Sequence, residues 1–311
     1  MGAVRRLERV VICGAGAVGS SYAARLHDVD PAGLAVIAGG ARRARLEREG
    51  LTVNGRRLDP RYLAPGEPAP AADLLLVAVK QHHLAQAIED VRAVVGAETI
   101  VVSLLNGITS EALLGRAFGA EKVLPAFVVG NDVLREGTRT RYANLGRLVF
   151  GAPSNDPADP RVRAVKDLLD RAGIPAEVPP DILRAQWKKF MLNVGVNQVS
   201  AILRAPYGAF AAVPELRELA RAAALEVVAV SRGEGVALAP ADVEAIFPII
   251  AALAPDGKTS MLQDVEAGRK TEVEIFAGAV VALGRRHGVP TPVNELLGRM
   301  IAAIEALAGA R

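Results

Sequence analysis

The chain has 311 residues, 37 of them basic and 34 acidic, for a formal net charge of +3. Hydrophobic residues make up 51% and charged residues 23%, which excludes a disordered chain. The near-cancellation of charge, with no long block of one sign, argues against a nucleic-acid partner and for a local pull on an anionic small molecule.

At roughly 100–200 residues per domain, the length predicts two domains. The single cysteine, Cys13, can form no intrachain disulfide, as expected of a cytoplasmic protein. Four histidines and one cysteine are too few and too scattered for a structural zinc site. The longest uncharged run, Val10 to Ala24, has 15 residues and is broken by glycines. A spanning helix needs about 20, so no membrane segment is expected. The start of the chain does not read as a signal peptide.

The first half alternates strand-like and helix-like runs. Val10–Cys13 is a short apolar run ending in glycines, and 17–27 reads as a helix. An apolar run at 34–38 precedes a charged helix at 42–49. The run LLLVAV at 74–79 has no alternation, as expected of a strand buried on both faces. A helix at 84–95, a strand at 100–105 and a helix at Ser110–Phe118 follow. This order predicts crossover units and a doubly wound parallel sheet. After position 123 the strands 123–129 and Arg147–Phe150 stand apart, and 161–172 is one more helix. Val178-Pro179-Pro180-Asp181 then breaks the chain. Beyond it the pattern is helical throughout: 182–203, 215–233, 241–253, Ser260–Glu266, 271–287 and 294–308. The predicted division is a Rossmann-type α/β domain at 1–178 and an all-helical domain at 179–311.

The sharpest short motif is Gly14-Ala15-Gly16-Ala17-Val18-Gly19, a G-x-G-x-x-G turn between a strand and a helix. Gly14 permits the tight turn, Gly16 lets a pyrophosphate approach the backbone, and Gly19 lets helix and strand pack closely. Free N–H groups at the helix start then face the anion. The alternative is a tight junction with no ligand. An NAD site usually places a carboxylate about 20 residues further on. Here Ala38-Gly39-Gly40-Ala41-Arg42-Arg43 offers none before Glu47, and its arginines suit the 2′-phosphate of NADP. The competing reading leaves Arg42, Arg43 and Arg45 as solvation for an exposed helix.

In the helical half, Lys189, Asn193 and Asn197 recur every four residues among Phe190, Leu192, Val194 and Val196. On a helix they form a polar stripe in apolar surroundings. Buried polar groups need partners, which either a ligand or the neighbouring helices could supply. Further on, Gly268 suits a helix C-cap and Thr271 with Glu274 has the capping-box spacing. Glu272 then falls in a first turn, where the dipole favours a carboxylate anyway. Lys80 and Asn106 follow strands and so fall at the carboxyl edge of a parallel sheet, where ligands bind. His82 and His83 read as solvated residues at a helix start.

Taken together, these pieces resemble the ketopantoate reductase family over nearly the whole chain. The resemblance rests on GAGAVG, Lys80, Asn106-Gly107, WKKFMLNVGVNQVSAI, TSMLQDVEAGRKTEVEIFAGAV and the closing HGVPTPVN. It implies NADPH-dependent reduction of 2-dehydropantoate to pantoate, a step towards pantothenate and coenzyme A. It makes Lys189 the catalytic lysine near the keto oxygen, with Glu272 supporting it. It gives Asn193, Asn197 and Ser260 to the substrate, and places Asn106 and Lys80 at the cofactor side of the cleft. The chemistry agrees: an ammonium stabilises charge building on a ketone oxygen and then supplies the proton.

The chain departs from the family at Gly39, where arginine is frequent, so Arg42 or Arg43 would take the 2′-phosphate contact. Ser110 stands where the family often has Asn, and Leu105 where it often has Gln. QHHL after Lys80 is also atypical. These changes leave the reaction class intact and the exact 2-oxo acid open. The competing readings are a reductase of another 2-oxo or 3-oxo acid and a dinucleotide-binding protein without turnover. A homodimer through the helical domain is an allowed assembly.

Overall fold

The structure is a computed structural model that describes residues 4–309. The chain divides into two compact units: residues 4–106 with Ser110–Ile182, and Gly107–Thr109 with residues 183–309.

In chain order the first unit runs β1 (Val10–Cys13), α1 (Ala17–Val29), β2 (Leu34–Ile37), α2 (Gly40–Glu49), β3 (Leu51–Val53), β4 (Arg56–Leu58) and β5 (Arg61–Leu63). It continues with β6 (Leu74–Val77), α3 (Leu84–Val91), β7 (Ile100–Ser103), α4 (Ser110–Phe118), β8 (Val123–Leu124) and β9 (Ala126–Val129). It closes with β10 (Leu134–Glu136), β11 (Arg139–Arg141), β12 (Arg147–Phe150), α5 (Pro160–Arg171) and β13 (Ala176–Glu177).

Six strands form an all-parallel sheet in the order β5-β2-β1-β6-β7-β8. Numbered within the sheet, that is 3-2-1-4-5-6, the doubly wound Rossmann arrangement. Val10 pairs with Leu34 on one side and with Leu74 on the other, so β1 is central. Alternate residues of its strands feed two separate cores. Val10, Ile12, Leu74 and Leu76 join one, and Val11, Cys13, Leu75 and Val77 join the other. Both faces are therefore buried, which explains the unbroken apolar runs. Burial pushes the Cys13 thiol up to about 12.

Two smaller sheets were not foreseen in the pattern. A four-stranded sheet has the order β10-β11-β3-β4, and a three-stranded sheet β13-β12-β9. The segment 123–129 is not one strand but two, because Pro125 interrupts the ladder and sends β8 and β9 to different sheets. Arg61–Leu63 adds a strand to the main sheet ahead of LLLV.

The second unit is helical: α6 (Ile182–Leu203), α7 (Ala209–Ala212), α8 (Pro214–Ser231), α9 (Pro240–Glu244), α10 (Ile246–Ala251), α11 (Ser260–Glu266), α12 (Ala277–His287) and α13 (Pro292–Gly309). Its 22-residue α6 has buried residues on every side, as a core helix must. Gly195 lets α8 approach. A Cβ there would meet the Ala220 carbonyl oxygen at 2.8 Å.

The expected helix at 241–253 is divided at Ala245, with Pro248 in the first turn of α10. The expected helix from 271 begins later. A 3₁₀ turn at Val273–Ile275 precedes α12, and Glu274 pairs with Lys270 at 2.9 Å instead of closing a capping box. No helix among the described residues is long and apolar enough to cross a membrane.

Candidate active site

The first unit assembles its candidates along the carboxyl edge of the main sheet, at the switch point between β1 and β6. Gly14 has φ +104°, and a Cβ there would fall 2.5 Å from the Ala78 carbonyl oxygen. At Gly19 a Cβ would sit 2.0 Å from the Gly14 carbonyl oxygen. The turn itself therefore requires both glycines. Gly16 differs, because a Cβ there would meet only the Ala78 oxygen, at 3.7 Å. Nothing among the described residues forbids a side chain at Gly16; a ligand lying against the backbone would. Gly16 caps α1 with no side-chain hydrogen bond, and the first turn of α1 holds no acidic residue. With Ala15, Ala17 and Val18 this turn presents backbone N–H groups and no competing carboxylate, the chemistry a pyrophosphate fits.

Arg42 lies in the first turn of α2, exposed, with no carboxylate partner among the described residues. Arg43 is committed elsewhere, to Glu47 at 2.7 Å and Glu67 at 3.1 Å. Of the two arginines proposed for a phosphate, only Arg42 is available. Gly39 carries no side chain for a steric reason: a Cβ would lie 2.7 Å from Pro65 Cδ. Lys80 is exposed and begins the 3₁₀ turn Gln81–His83, where His82 and His83 are exposed as expected. Asn106 is partly buried three residues past β7. The atypical positions near it are apolar or already engaged. Leu105 is buried, and the Ser110 hydroxyl hydrogen-bonds the Ser103 hydroxyl at 2.8 Å.

The second unit assembles the other set on and around α6. Lys188 and Lys189 have different fates. Lys188 pairs with Asp242 at 2.8 Å. Lys189 Nζ instead donates to Asn193 Oδ1 at 3.0 Å. Burial lowers the Lys189 ammonium to about 8, against the opposing pull of the Glu272 carboxylate. Asn193, Asn197 and Glu272 are all buried. The Asn197 carboxamide has no hydrogen-bond partner among the described residues, so it has capacity for a ligand.

Glu272 is held by its neighbour. The Thr271 N–H and hydroxyl donate to Glu305 on α13 at 2.7 and 2.6 Å. Ser260 opens α11, exposed, beside the N-cap Thr259. The Thr259 hydroxyl bonds Ser200 on α6 at 3.0 Å, which ties that turn to the stripe.

A buried network behind the stripe was not read from the sequence. Gln198 Nε2 donates to Asn294 Oδ1 at 3.0 Å, and Asn294 Nδ2 donates to Glu226 at 2.7 Å and to the Ala223 carbonyl at 3.1 Å. Glu226 also accepts from the backbone N–H of Val293 and Asn294, capping α13. The network fixes α6 against α8 and α13. The proline-marked start of α13 was the available signal. No group of three or more metal-binding side chains occurs among the described residues.

Strand order, switch point and glycine turn define the doubly wound class of dinucleotide-binding folds. The family model "Ketopantoate reductase PanE/ApbA" matches residues 10–155, and "Ketopantoate reductase PanE/ApbA C terminal" matches residues 181–305. A 2-dehydropantoate 2-reductase of Archaeoglobus fulgidus is 31% identical over 97% of this chain and 99% of that one. The crystal structure of a PanE/ApbA family ketopantoate reductase from Ralstonia eutropha is 27% identical, with TM-score 0.83 over 97% of this chain and 99% of that one. D-mandelate dehydrogenase in ternary complex with NADH and anilino(oxo)acetate shares the fold, at TM-score 0.84, 21% identity and coverage of 97% and 99%. The chain belongs to the ketopantoate reductase family of oxidoreductases.

Proposed function

We propose that the protein reduces 2-dehydropantoate to pantoate with NADPH, in the cytoplasm, as a step towards pantothenate and coenzyme A. The first unit binds the dinucleotide and the helical unit binds the oxo acid. The observation that carries this reading is Lys189: a half-buried lysine whose ammonium is lowered to about 8, aligned by Asn193 and facing the Glu272 carboxylate.

Gly14 to Gly19 would hold the pyrophosphate, with Arg42 and Lys80 serving the adenosine phosphate and Asn106 lying near the nicotinamide. A bound nicotinamide supplies the hydride. Lys189 holds a proton near the keto oxygen, stabilises the negative charge that builds there and gives the proton up to form the hydroxyl. At about 8, its acidity is close to working pH, where a general acid is most effective. Glu272 keeps the lysine protonated. Asn193, Asn197 and Ser260 donate hydrogen bonds to the substrate's carboxylate and hydroxyl groups. A homodimer is proposed through the helical unit.

One observation favours a second substrate. Leu105 is apolar and Ser110 is turned to Ser103, so neither offers the amide that the family resemblance leads one to expect there. Reduction of a different, less polar 2-oxo acid is the reading this supports.

The test is NADPH oxidation with ketopantoate, repeated with NADH and with a panel of 2-oxo acids. Turnover with NADPH and ketopantoate is expected. A higher kcat/KM for another oxo acid moves the assignment to that acid. Cofactor binding with no oxidation by any acid would overturn the reductase reading.

A further inference from the structure

The hairpin of β10 and β11 carries an arginine whose charge no carboxylate among the described residues neutralises. Arg135 Nε donates to the Gly137 carbonyl at 2.8 Å, and Nη1 to the Ser20 hydroxyl at 3.4 Å. Both partners are uncharged, and Arg135 has no carboxylate partner among the described residues. Its surroundings add positive charge. Burial, and then Arg42 and Arg45, bring its guanidinium down to about 10. Arg45 is close: its Nη2 would lie 2.6 Å from a Cβ built on Gly137. Arg43 and Arg45 nearby are each balanced by carboxylates, Glu47 and Glu49 among them. Arg135 and Arg42 are not.

The position matters as much as the charge. Ser20 lies in the first turn of α1, where its N–H bonds the Gly16 carbonyl at 3.0 Å. Arg42 lies in the first turn of α2. Arg135 thus stands at the amino end of α1, and Arg42, which acts on it electrostatically, at that of α2; neither helix has an acidic first turn or a side-chain cap. Tyr62 is 9% exposed, its hydroxyl has no hydrogen-bond partner, and Arg135 acts on it electrostatically. Two unpaired guanidiniums, two helix dipoles and an unused hydroxyl converge beside the carboxyl end of β2, where an adenosine ribose binds in this fold.

We propose that Arg135, reaching in from the small antiparallel hairpin, together with Arg42, binds the 2′-phosphate of NADP and sets the preference for NADP over NAD. The two arginines do this because Pro65 leaves no room for a side chain at Gly39. This assignment rests on the NADP reading above.

The test is calorimetric titration of the whole protein with NADPH and with NADH, for wild type, Arg135→Met, Arg135→Lys and Arg42→Ala. Losing a guanidinium–phosphate contact should weaken NADPH binding about 10- to 100-fold and leave NADH binding unchanged. Arg135→Lys, which keeps the charge without the fork, should fall between. Arg42 is exposed, so Arg42→Ala gives a readout even if the hairpin variants fail to fold. Unchanged NADH affinity is the control for folding. Equal loss of both cofactors in Arg135→Met would mean a structural role and overturn the assignment. A wild type that prefers NADPH, with Arg135 variants keeping that preference, would overturn Arg135 alone. A wild type with no preference would overturn the NADP reading, and this one with it.

Discussion

The acidity of Lys189 can be tested through its own titration. Its ammonium is lowered from 10.5 to about 8, a difference worth about 3 kcal/mol between charged and neutral forms. The charged form carries the proton, so activity is present below that value and lost above it. For the 2-oxo acid, kcat/KM should be level near pH 7 and fall about tenfold per pH unit above about 8. Glu272 opposes the desolvation, so its removal must lower the lysine further. In Glu272→Gln the falling limb should therefore move to lower pH. The assay is initial rate against pH in buffers of constant ionic strength, with a deuterated cofactor to confirm that hydride transfer limits the rate. A wild-type profile flat beyond pH 9.5, or a limb that Glu272→Gln leaves in place, would refute the pairing of these two residues.

Lys189→Ala should lower kcat about 10²-fold or more, measured with cofactor affinity and circular dichroism unchanged. The glycines of the turn should separate into two kinds. Gly19→Ala places a Cβ 2.0 Å from a carbonyl oxygen, so it should lower Tm by several degrees as well as weaken the cofactor. Gly16→Ala finds open space within the chain and should leave Tm unchanged while dinucleotide affinity falls, seen by calorimetry. Asn294→Ala leaves Gln198 Nε2 with the Val194 carbonyl alone and takes a side-chain donor from Glu226, and should cost about 1–3 kcal/mol in urea unfolding.

The main sheet was legible because its strands are buried on both faces and read as unbroken apolar runs between helices. The small sheet was not, because its strands are three residues long and two of them read RRL and RTR. Three positions are too few for a period of two to emerge. Asn54-Gly55, both with positive φ, and Gly137 in the β10–β11 turn, also with positive φ, were the hairpin signals there. The same blindness hid Arg135, which lies on such a strand and is far in sequence from the turn it approaches. The polar stripe of α6 was readable from its spacing of four. Its anchoring was not, since Gln198 and Asn294 meet across 96 residues. Arg43 looked equivalent to Arg42 in sequence. Only the fold brings Glu67 to it and removes it from consideration.

Cys13, inside the central strand with its thiol pushed up to about 12, is the chain's sole sulfhydryl. The thiolate is the form that reacts, and at neutral pH there is almost none of it. Maleimides and mild oxidants therefore find nothing to attack while the sheet is closed. A single cysteine installed at Leu134 or Leu307, 62% and 68% exposed, would carry a fluorophore with no background labelling. Left as it is, Cys13 is a clock: the rate at which a thiol reagent reaches it times how often the sheet opens.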